Sequence, residues 1–190
     1  MIGKHKKTTV KALATLLIIY GVNYWHGILE QKLIDMMKHK QKQPYGCGLY
    51  AVANACNLDN FITDERLEKS KNGNVIGQLS KWMQDDGYQF YIDSLYYNHA
   101  GKKLPTSALD YKPIGEGLDF LPVLINVQYS EEGKRHLVGG KIDKDKNLYL
   151  YDSLAKEMEV TTLGKVNRKY YRVFGLFLFM CVETGDYVFI

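Results

Sequence analysis

The chain has 190 residues, of which 46% are apolar and 24% charged, a composition typical of a globular domain that excludes a mainly disordered chain. Its net charge of +4 is unevenly spread, because residues 1–42 hold eight Lys and Arg against two acidic residues and the rest holds 17 against 19. A nucleic-acid-binding domain would carry its basic residues on a folded face, so we expect no nucleic-acid partner.

A basic N-terminus leads into an apolar segment. Residues 12–25 are nearly free of charge, as in a signal anchor, but this run is shorter than the roughly 20 residues that a spanning helix needs. We predict that residues 1–40 form a basic tail and an apolar or amphipathic helix, with helical spacing continuing over residues 27–38. This helix would contact a membrane or a partner helix through residues 8–29, or pack on its own domain. The predicted localisation is therefore membrane-associated, with a viral or phage particle as a second setting.

Residues 41–190 are predicted to form one α+β domain. A solvated linker ends at Pro44, and the sequence from Cys47 is rich in helix formers, with a glycine on each side of the cysteine. A second helix is predicted over Val75–Gln84, and residues 98–118 are predicted to be a loop. Strands are predicted at residues 89–97, 121–129, 136–142, 148–153, 170–182 and 186–190. Helices followed by an antiparallel sheet indicate an α+β fold.

The three cysteines are Cys47, Cys56 and Cys181. Their odd number and wide spacing predict neither a disulfide framework nor a zinc site, and we expect no metal or other cofactor. Cys47 lies where a loop becomes a helix, and amide groups and the helix dipole there favour a thiolate. Cys56 falls on the opposite side of that helix and Cys181 in an apolar strand, so both are predicted to be buried structural residues. Cys47 is the candidate nucleophile, although most unpaired cysteines are buried apolar residues.

A nucleophilic cysteine needs a base, and among the five histidines His136 begins an alternating strand. A hairpin loop joins this strand to the next. Pairing Ile142 with Leu148 would place His136 and Asp152 on one face of the sheet, one diagonal step apart. A carboxylate in that position can fix the tautomer of the imidazole. A strand-edge histidine and a turn-capping aspartate are the structural alternatives, but their joint placement favours a functional pair.

An oxyanion hole would need a second donor beside the Cys47 amide. Gln41 and Gln43 both lie shortly upstream, and either side-chain amide could supply that donor. The alternative is that both are polar linker residues.

These residues resemble the papain-like cysteine peptidase superfamily over about residues 41–180. In the leader-processing peptidase domains of peptide-exporting ABC transporters, a Gln lies six residues before a Cys-Gly that opens a helix, and a later His strand is followed by an Asp. The matching residues, in the same order, are Gln41, Cys47, Gly48, His136 and Asp152.

A second resemblance is to the ubiquitin-like-protein proteases, through the segments QKQPYGCGLYA and HLVGGKIDKDKNLYLYDSL. Those enzymes carry His and Asp before Cys, whereas Cys comes first here. Gly46 stands where both groups usually have Asp, and Ser153 stands where transporter peptidases commonly have Pro.

The resemblance implies a papain-like fold, with the nucleophile at the start of a helix that packs on an antiparallel sheet. It also implies a Cys-His-Asp triad, a thioester intermediate and Gln41 in the oxyanion hole. The implied substrate is a polypeptide such as a leader, a ubiquitin-like conjugate or a viral or phage precursor. An acyltransferase or transpeptidase with the same triad, and a non-enzymatic membrane-associated structural or binding protein, are the alternatives.

Overall fold

The structure, a computed structural model, describes residues 39–105, 120–155 and 157–182. The apolar helix predicted within residues 8–29, the helical pattern of residues 27–38 and the strand predicted at residues 186–190 lie outside this part. All the described residues belong to one compact unit. Within the described ranges, none of the helices has the length and apolarity needed to cross a membrane.

The domain is α+β, as the sequence predicts. The helices are α1 (Cys47–Cys56), α2 (Asp64–Lys69), α3 (Ile76–Asp85) and α4 (Leu163–Lys169), with a 3₁₀ turn at Asp59–Phe61. The strands are β1 (Gln89–Tyr97), β2 (Phe120–Gln128), β3 (Arg135–Asp143), β4 (Leu148–Tyr151), β5 (Glu159–Thr161) and β6 (Arg172–Val182). Sequence patterns missed α2, α4 and β5, because elements of three to seven residues are too short to show a periodicity.

The six strands form one antiparallel sheet in the order β1-β6-β2-β3-β4-β5. The predicted hairpin register is confirmed, because Ile142 pairs with Leu148. The second strand of the hairpin is shorter than predicted and ends at Tyr151. The chain turns there because Asp152 accepts the amide N–H of Ala155 on its backbone oxygen (2.8 Å) and that of Leu154 on its carboxylate (3.1 Å).

Helix α1 is buried on every side. The sequence predicts one apolar side, whereas residues 48–56 are all buried. On one side the helix touches β3 so closely that a Cβ on Gly139 would lie 2.1 Å from the backbone oxygen of Ala51. On another side Gly48 contacts the side chains of Asn74 and Leu79. Helix α1 is therefore the centre of the helical layer, which explains its three alanines and the glycine at position 48.

The segment before α1 is not the solvated linker that the sequence predicts. The backbone N–H of His39 donates to Asn54 Oδ1, and Asn54 Nδ2 donates to the backbone oxygen of His39, both at 2.8 Å. The backbone N–H of Gln41 donates to the oxygen of Ser153 at 2.9 Å. Asn54 is fully buried in α1, so its amide needs partners, and the chain before α1 provides them. The lysines in this segment led to the prediction that it is solvated, but its backbone forms hydrogen bonds with α1 and with the turn after β4.

Candidate active site

Cys47 is the first residue of α1. Gly46 precedes the helix with φ of 84°, in the left-handed region that favours glycine. A Cβ at Gly46 would also lie 2.9 Å from Leu67 Cδ2. The backbone conformation and the packing thus account for glycine at the position where the resembled families usually have Asp. The Cys47 side chain is half-buried at this helix start.

The structure brings His136 and Asp152 into direct contact. His136 Nε2 lies 2.9 Å from Asp152 Oδ1, and the two side chains are only 7% and 4% exposed. Because the carboxylate accepts, Nε2 is the protonated nitrogen and Nδ1 is left as the basic one. Asp152 lies just past the end of β4, so the contact depends on the turn as well as on the strand register. Asp152 also caps this turn, so the turn-capping alternative describes a second property of the same residue.

Cys47, at the start of α1, lies beside β3 near the strand position after His136. The β3–β4 ladder ends at the Gly139–Tyr151 pair, and the next pairs in that register, Val138 with Asp152 and Leu137 with Ser153, do not form. The backbone amide of Leu137 lies close enough to the Cys47 thiol to lower its pKa.

The nucleophile and the base candidate belong to opposite sides of the sheet. Cys47 and Leu137 pack with the apolar side chains around α1. Val138 and its partner on β2, Ile125, belong to the apolar cluster on the other side of the sheet. His136 points to that second side, because it alternates with Leu137 along the strand. The partner of His136, Asp152, nonetheless acts on the nucleophile, because its negative charge raises the pKa of the Cys47 thiol. In the described part of the chain, no direct hydrogen bond joins the Cys47 sulfur to the His136 ring.

Burial dominates the electrostatics of the three groups. It raises the pKa of the Cys47 thiol, the amides of Leu137, Gly48 and Cys47 lower it, and the negative charge of Asp152 raises it. Burial lowers the pKa of His136 to about 4 and raises the pKa of Asp152. The thiol and the imidazole are thus both neutral at neutral pH, and the imidazole is free to accept a proton.

Gln41 lies beside the turn that holds Asp152. Its Oε1 accepts the hydroxyl of Ser153 at 2.9 Å, and its Nε2 donates to the backbone oxygen of Gln43 at 2.6 Å. One N–H of that amide remains for another acceptor. The Gln43 side chain is tied to α1, because its Oε1 accepts the hydroxyl of Tyr50 at 2.9 Å. Ser153, where transporter peptidases commonly have Pro, therefore contacts Gln41 directly.

The remaining described candidates do not form a site. Cys56 is fully buried in α1, as predicted, and Cys181 lies in β6. Within residues 39–105, 120–155 and 157–182, no group of three or more His, Cys, Asp or Glu side chains could hold a metal ion.

Two tyrosines beside the pair were not predicted from sequence. The hydroxyl of Tyr170 lies 3.4 Å from Asp152 Oδ2, and the ring of Tyr129 lies 5.8 Å from the ring of His136. The sequence patterns place both residues in strands, and nothing distinguishes them from the other tyrosines among the 15 in the chain.

Comparisons with known proteins support the fold alone. No family model matches the chain, and no curated protein matches it. Among solved structures, the chain is similar to the peptidase domain of Streptococcus ComA, a bi-functional ABC transporter involved in a quorum-sensing pathway. The TM-score is 0.51 at 11% sequence identity, and the match covers 77% of this chain and 97% of that domain. The protein therefore shares its α+β fold with an ABC-transporter peptidase domain.

Proposed function

We propose that this protein is a cysteine peptidase that cleaves a polypeptide, with Cys47 as nucleophile, His136 as general base and Asp152 as the group that orients the base. The observation that carries the proposal is the buried 2.9 Å contact between His136 Nε2 and Asp152 Oδ1, one residue along β3 from the Leu137 amide that lowers the pKa of the Cys47 thiol. The shared fold with the ComA peptidase domain supports the same class of reaction.

The first half of the reaction forms a thioester. His136 Nδ1 takes the proton of the Cys47 thiol, and the thiolate attacks the carbonyl carbon of the scissile amide. Asp152 stabilises the resulting imidazolium through Nε2–H. The tetrahedral intermediate then breaks its C–N bond, and the leaving amine takes the proton from Nδ1. The acyl group remains on the Cys47 sulfur.

The second half releases the acyl group by hydrolysis. His136 Nδ1 accepts a proton from a water molecule, the water oxygen attacks the thioester carbonyl, and the C–S bond breaks. The sulfur recovers its proton and the acid product leaves. In both halves the oxyanion is proposed to be bound by the Cys47 amide and by the free N–H of Gln41 Nε2.

The proposed substrate is a polypeptide, with a leader sequence as the first candidate because the ComA domain belongs to an ABC transporter. A ubiquitin-like conjugate and a viral or phage precursor remain predictions from the sequence. Contact of residues 8–29 with a membrane or a partner helix is likewise a prediction from the sequence.

Selective alkylation of Cys47 tests the proposed nucleophile and base. Iodoacetamide would be added at pH 7, and mass spectrometry would measure the rate at each cysteine in the wild type, His136→Ala and Asp152→Asn. In the wild type we expect Cys47 to react faster than the buried Cys56. The rate at Cys47 should be at least about tenfold lower in His136→Ala than in the wild type, and intermediate between these two in Asp152→Asn. A Cys47 rate that is unchanged in His136→Ala would show that this histidine does not activate the thiol.

The products distinguish hydrolysis from acyl transfer. Cys47→Ala removes one sulfur at a helix start and should keep the fold, so it can retain a bound polypeptide for identification by mass spectrometry. Incubating that polypeptide with the wild type should produce a free carboxyl terminus and a new N-terminus. A product carrying a new amide or thioester would instead identify an acyltransferase.

A further inference from the structure

The second oxygen of the Asp152 carboxylate has its own donor. Oδ1 receives His136 Nε2 and the amide of Leu154, while Oδ2 lies 3.4 Å from the hydroxyl of Tyr170. Tyr170 is the residue that follows α4, and it is only 1% exposed. A hydroxyl in that position can only donate to an ionised carboxylate. The two oxygens of Asp152 are therefore distinguished by their partners.

A donor on Oδ2 restricts the rotation of the carboxylate. Asp152 is almost completely buried, so solvent does not hold the group in one orientation. With a donor on each oxygen, a turn about the Cβ–Cγ bond would break contacts on both sides at once. The 3.4 Å separation is longer than an ordinary O–H···O hydrogen bond, and such long contacts are common at catalytic groups before substrate binds.

Aromatic packing fixes the Tyr170 ring. Tyr129 meets the Tyr170 ring edge-on at 5.1 Å between centroids, and its own ring also lies beside His136. Tyr129 is 43% exposed, so it forms the solvent-facing cover of this group. The ring of Tyr170 is thus held by a neighbour that also contacts the base.

We propose that Tyr170 is a positioning residue, whose hydroxyl holds the Asp152 carboxylate so that Oδ1 faces His136 Nε2. It acts through Asp152 and does not touch the substrate. The inference rests on the proposed function, because it assigns Tyr170 to the same set of groups. The alternative is a tyrosine that only fills the core between α4 and the sheet.

The hydroxyl should also keep the carboxylate ionised. Tyr170 lowers the pKa of Asp152 against the effect of burial, so its removal should raise that pKa. The other groups that act on Asp152 are unchanged by that removal. They are the Leu154 amide and the positive charge of Lys169, which lower the pKa of Asp152, the negative charge of Glu159, which raises it, and the neighbouring His136 and Cys47.

The test compares Tyr170→Phe with Tyr171→Phe in the full chain. Both substitutions remove one hydroxyl and keep the ring, but Tyr171 is 42% exposed and is placed outside the proposed site. The first measurement is the rate of Cys47 alkylation by iodoacetamide as a function of pH. The acid limb is the part of this curve in which the rate rises with pH. We expect the acid limb to move to higher pH in Tyr170→Phe, so that the rate at a given pH on it falls about threefold. In Tyr171→Phe the acid limb should not move.

The second measurement is the NMR signal of the His136 Nε2 proton. We expect a downfield signal in the wild type and in Tyr171→Phe, and faster exchange with water in Tyr170→Phe. A Tyr170→Phe protein with lower stability but an unmoved acid limb and an unchanged Nε2 proton would overturn the proposal. If Tyr170→Phe does not fold, the Tyr170 hydroxyl proton is measured in the wild type, and rapid exchange with water there would overturn it.

The two proposals fail in different ways. If Cys47 alkylation does not depend on His136, the proposed function fails, while the Nε2 proton still reports on Tyr170. If alkylation depends on His136 but both Tyr170 readouts stay unchanged, only the inference about Tyr170 fails.

Discussion

At the scale of single residues, the candidate base is a histidine that burial keeps neutral. Among the described residues, Asp152 is its hydrogen-bond partner, and the proposed role as a base falls to the remaining ring nitrogen. This arrangement has a measurable consequence for stability as well as for reactivity, because the folded and unfolded chains bind protons to His136 at different pH values.

The free energy of unfolding should fall as the pH is lowered from about 6.5 to about 4. The pKa of His136 in the folded chain, about 4, is below its ordinary value of 6.5. The contribution of this neutral histidine to the free energy of unfolding is therefore fully present above pH 6.5 and is lost as the pH falls through 4. The loss is at most about 3 kcal/mol, and less where the raised pKa of Asp152 opposes it. Denaturant unfolding at a series of pH values measures it.

The matched control is His136→Gln, whose side-chain amide can still donate to Asp152 but does not titrate. Its stability should depend less on pH over the same interval. An equal slope in the two proteins would mean that another group causes the pH dependence.

Gln41 and Gln43 should differ in their effect on catalysis. Gln41 lies beside the Asp152 turn and keeps one N–H available, whereas the Gln43 side chain is tied to Tyr50. We expect Gln41→Ala to lower kcat about 10²-fold or more with little change in KM, the effect typical of a lost oxyanion donor. Gln43→Ala should change kcat only slightly. Steady-state kinetics on the identified polypeptide decide, and the reverse order would assign the oxyanion hole to Gln43.

At the scale of elements, the position of Cys47 depends on how closely α1 docks on β3. The contact is between two backbones, because Gly139 has no side chain and the oxygen of Ala51 occupies the place of its Cβ. The same docking brings the start of α1 to the part of β3 that lies beyond its last pair with β4.

Gly139→Ala should therefore destabilise the fold strongly. A Cβ 2.1 Å from a backbone oxygen forces α1 and β3 apart, and we expect a loss of more than about 3 kcal/mol in the free energy of unfolding. The control is Gly77→Ala in α3, where a Cβ has open space. That substitution should be neutral or stabilise by up to about 1 kcal/mol, since alanine favours a helix. Similar losses in both variants would contradict the close docking.

At the scale of the whole molecule, the chain before α1 is part of the fold. The backbone of His39 provides both partners of the buried Asn54 amide, and His39 belongs to the same compact unit as the rest of the described chain. The predicted domain boundary after residue 40 stays a prediction, but a cut there would remove both hydrogen bonds.

We expect a fragment of residues 41–190 to be less stable than a fragment of residues 37–190 by about 1–3 kcal/mol. A buried amide without partners costs about that much. Denaturant unfolding of the two fragments measures the difference. In the longer fragment, His39→Ala keeps the backbone contacts and should change stability by less than about 1 kcal/mol. Equal stability of the two fragments would show that residues 37–40 contribute nothing.

Sequence by itself determined the α+β class, the start of α1 at Cys47 and the hairpin register that relates His136 to Asp152. These features depend on local periodicity, on glycine positions and on the two-residue repeat of a strand, all of which are visible along the chain. The fold of the ComA peptidase domain agrees with that class. The proposed triad is tested by the alkylation of Cys47, and the proposed substrate by the polypeptide that Cys47→Ala retains.

Only the tertiary structure decided the surroundings of these residues. The burial of α1 on all sides and the contact of Tyr170 with Asp152 each join residues that are separated along the chain. Such contacts depend on which backbones approach closely and which buried polar groups need partners. Neither condition leaves a periodic trace in a single sequence, so Tyr170 and Ser153 could be recognised beside the site only once the sheet and α1 were placed.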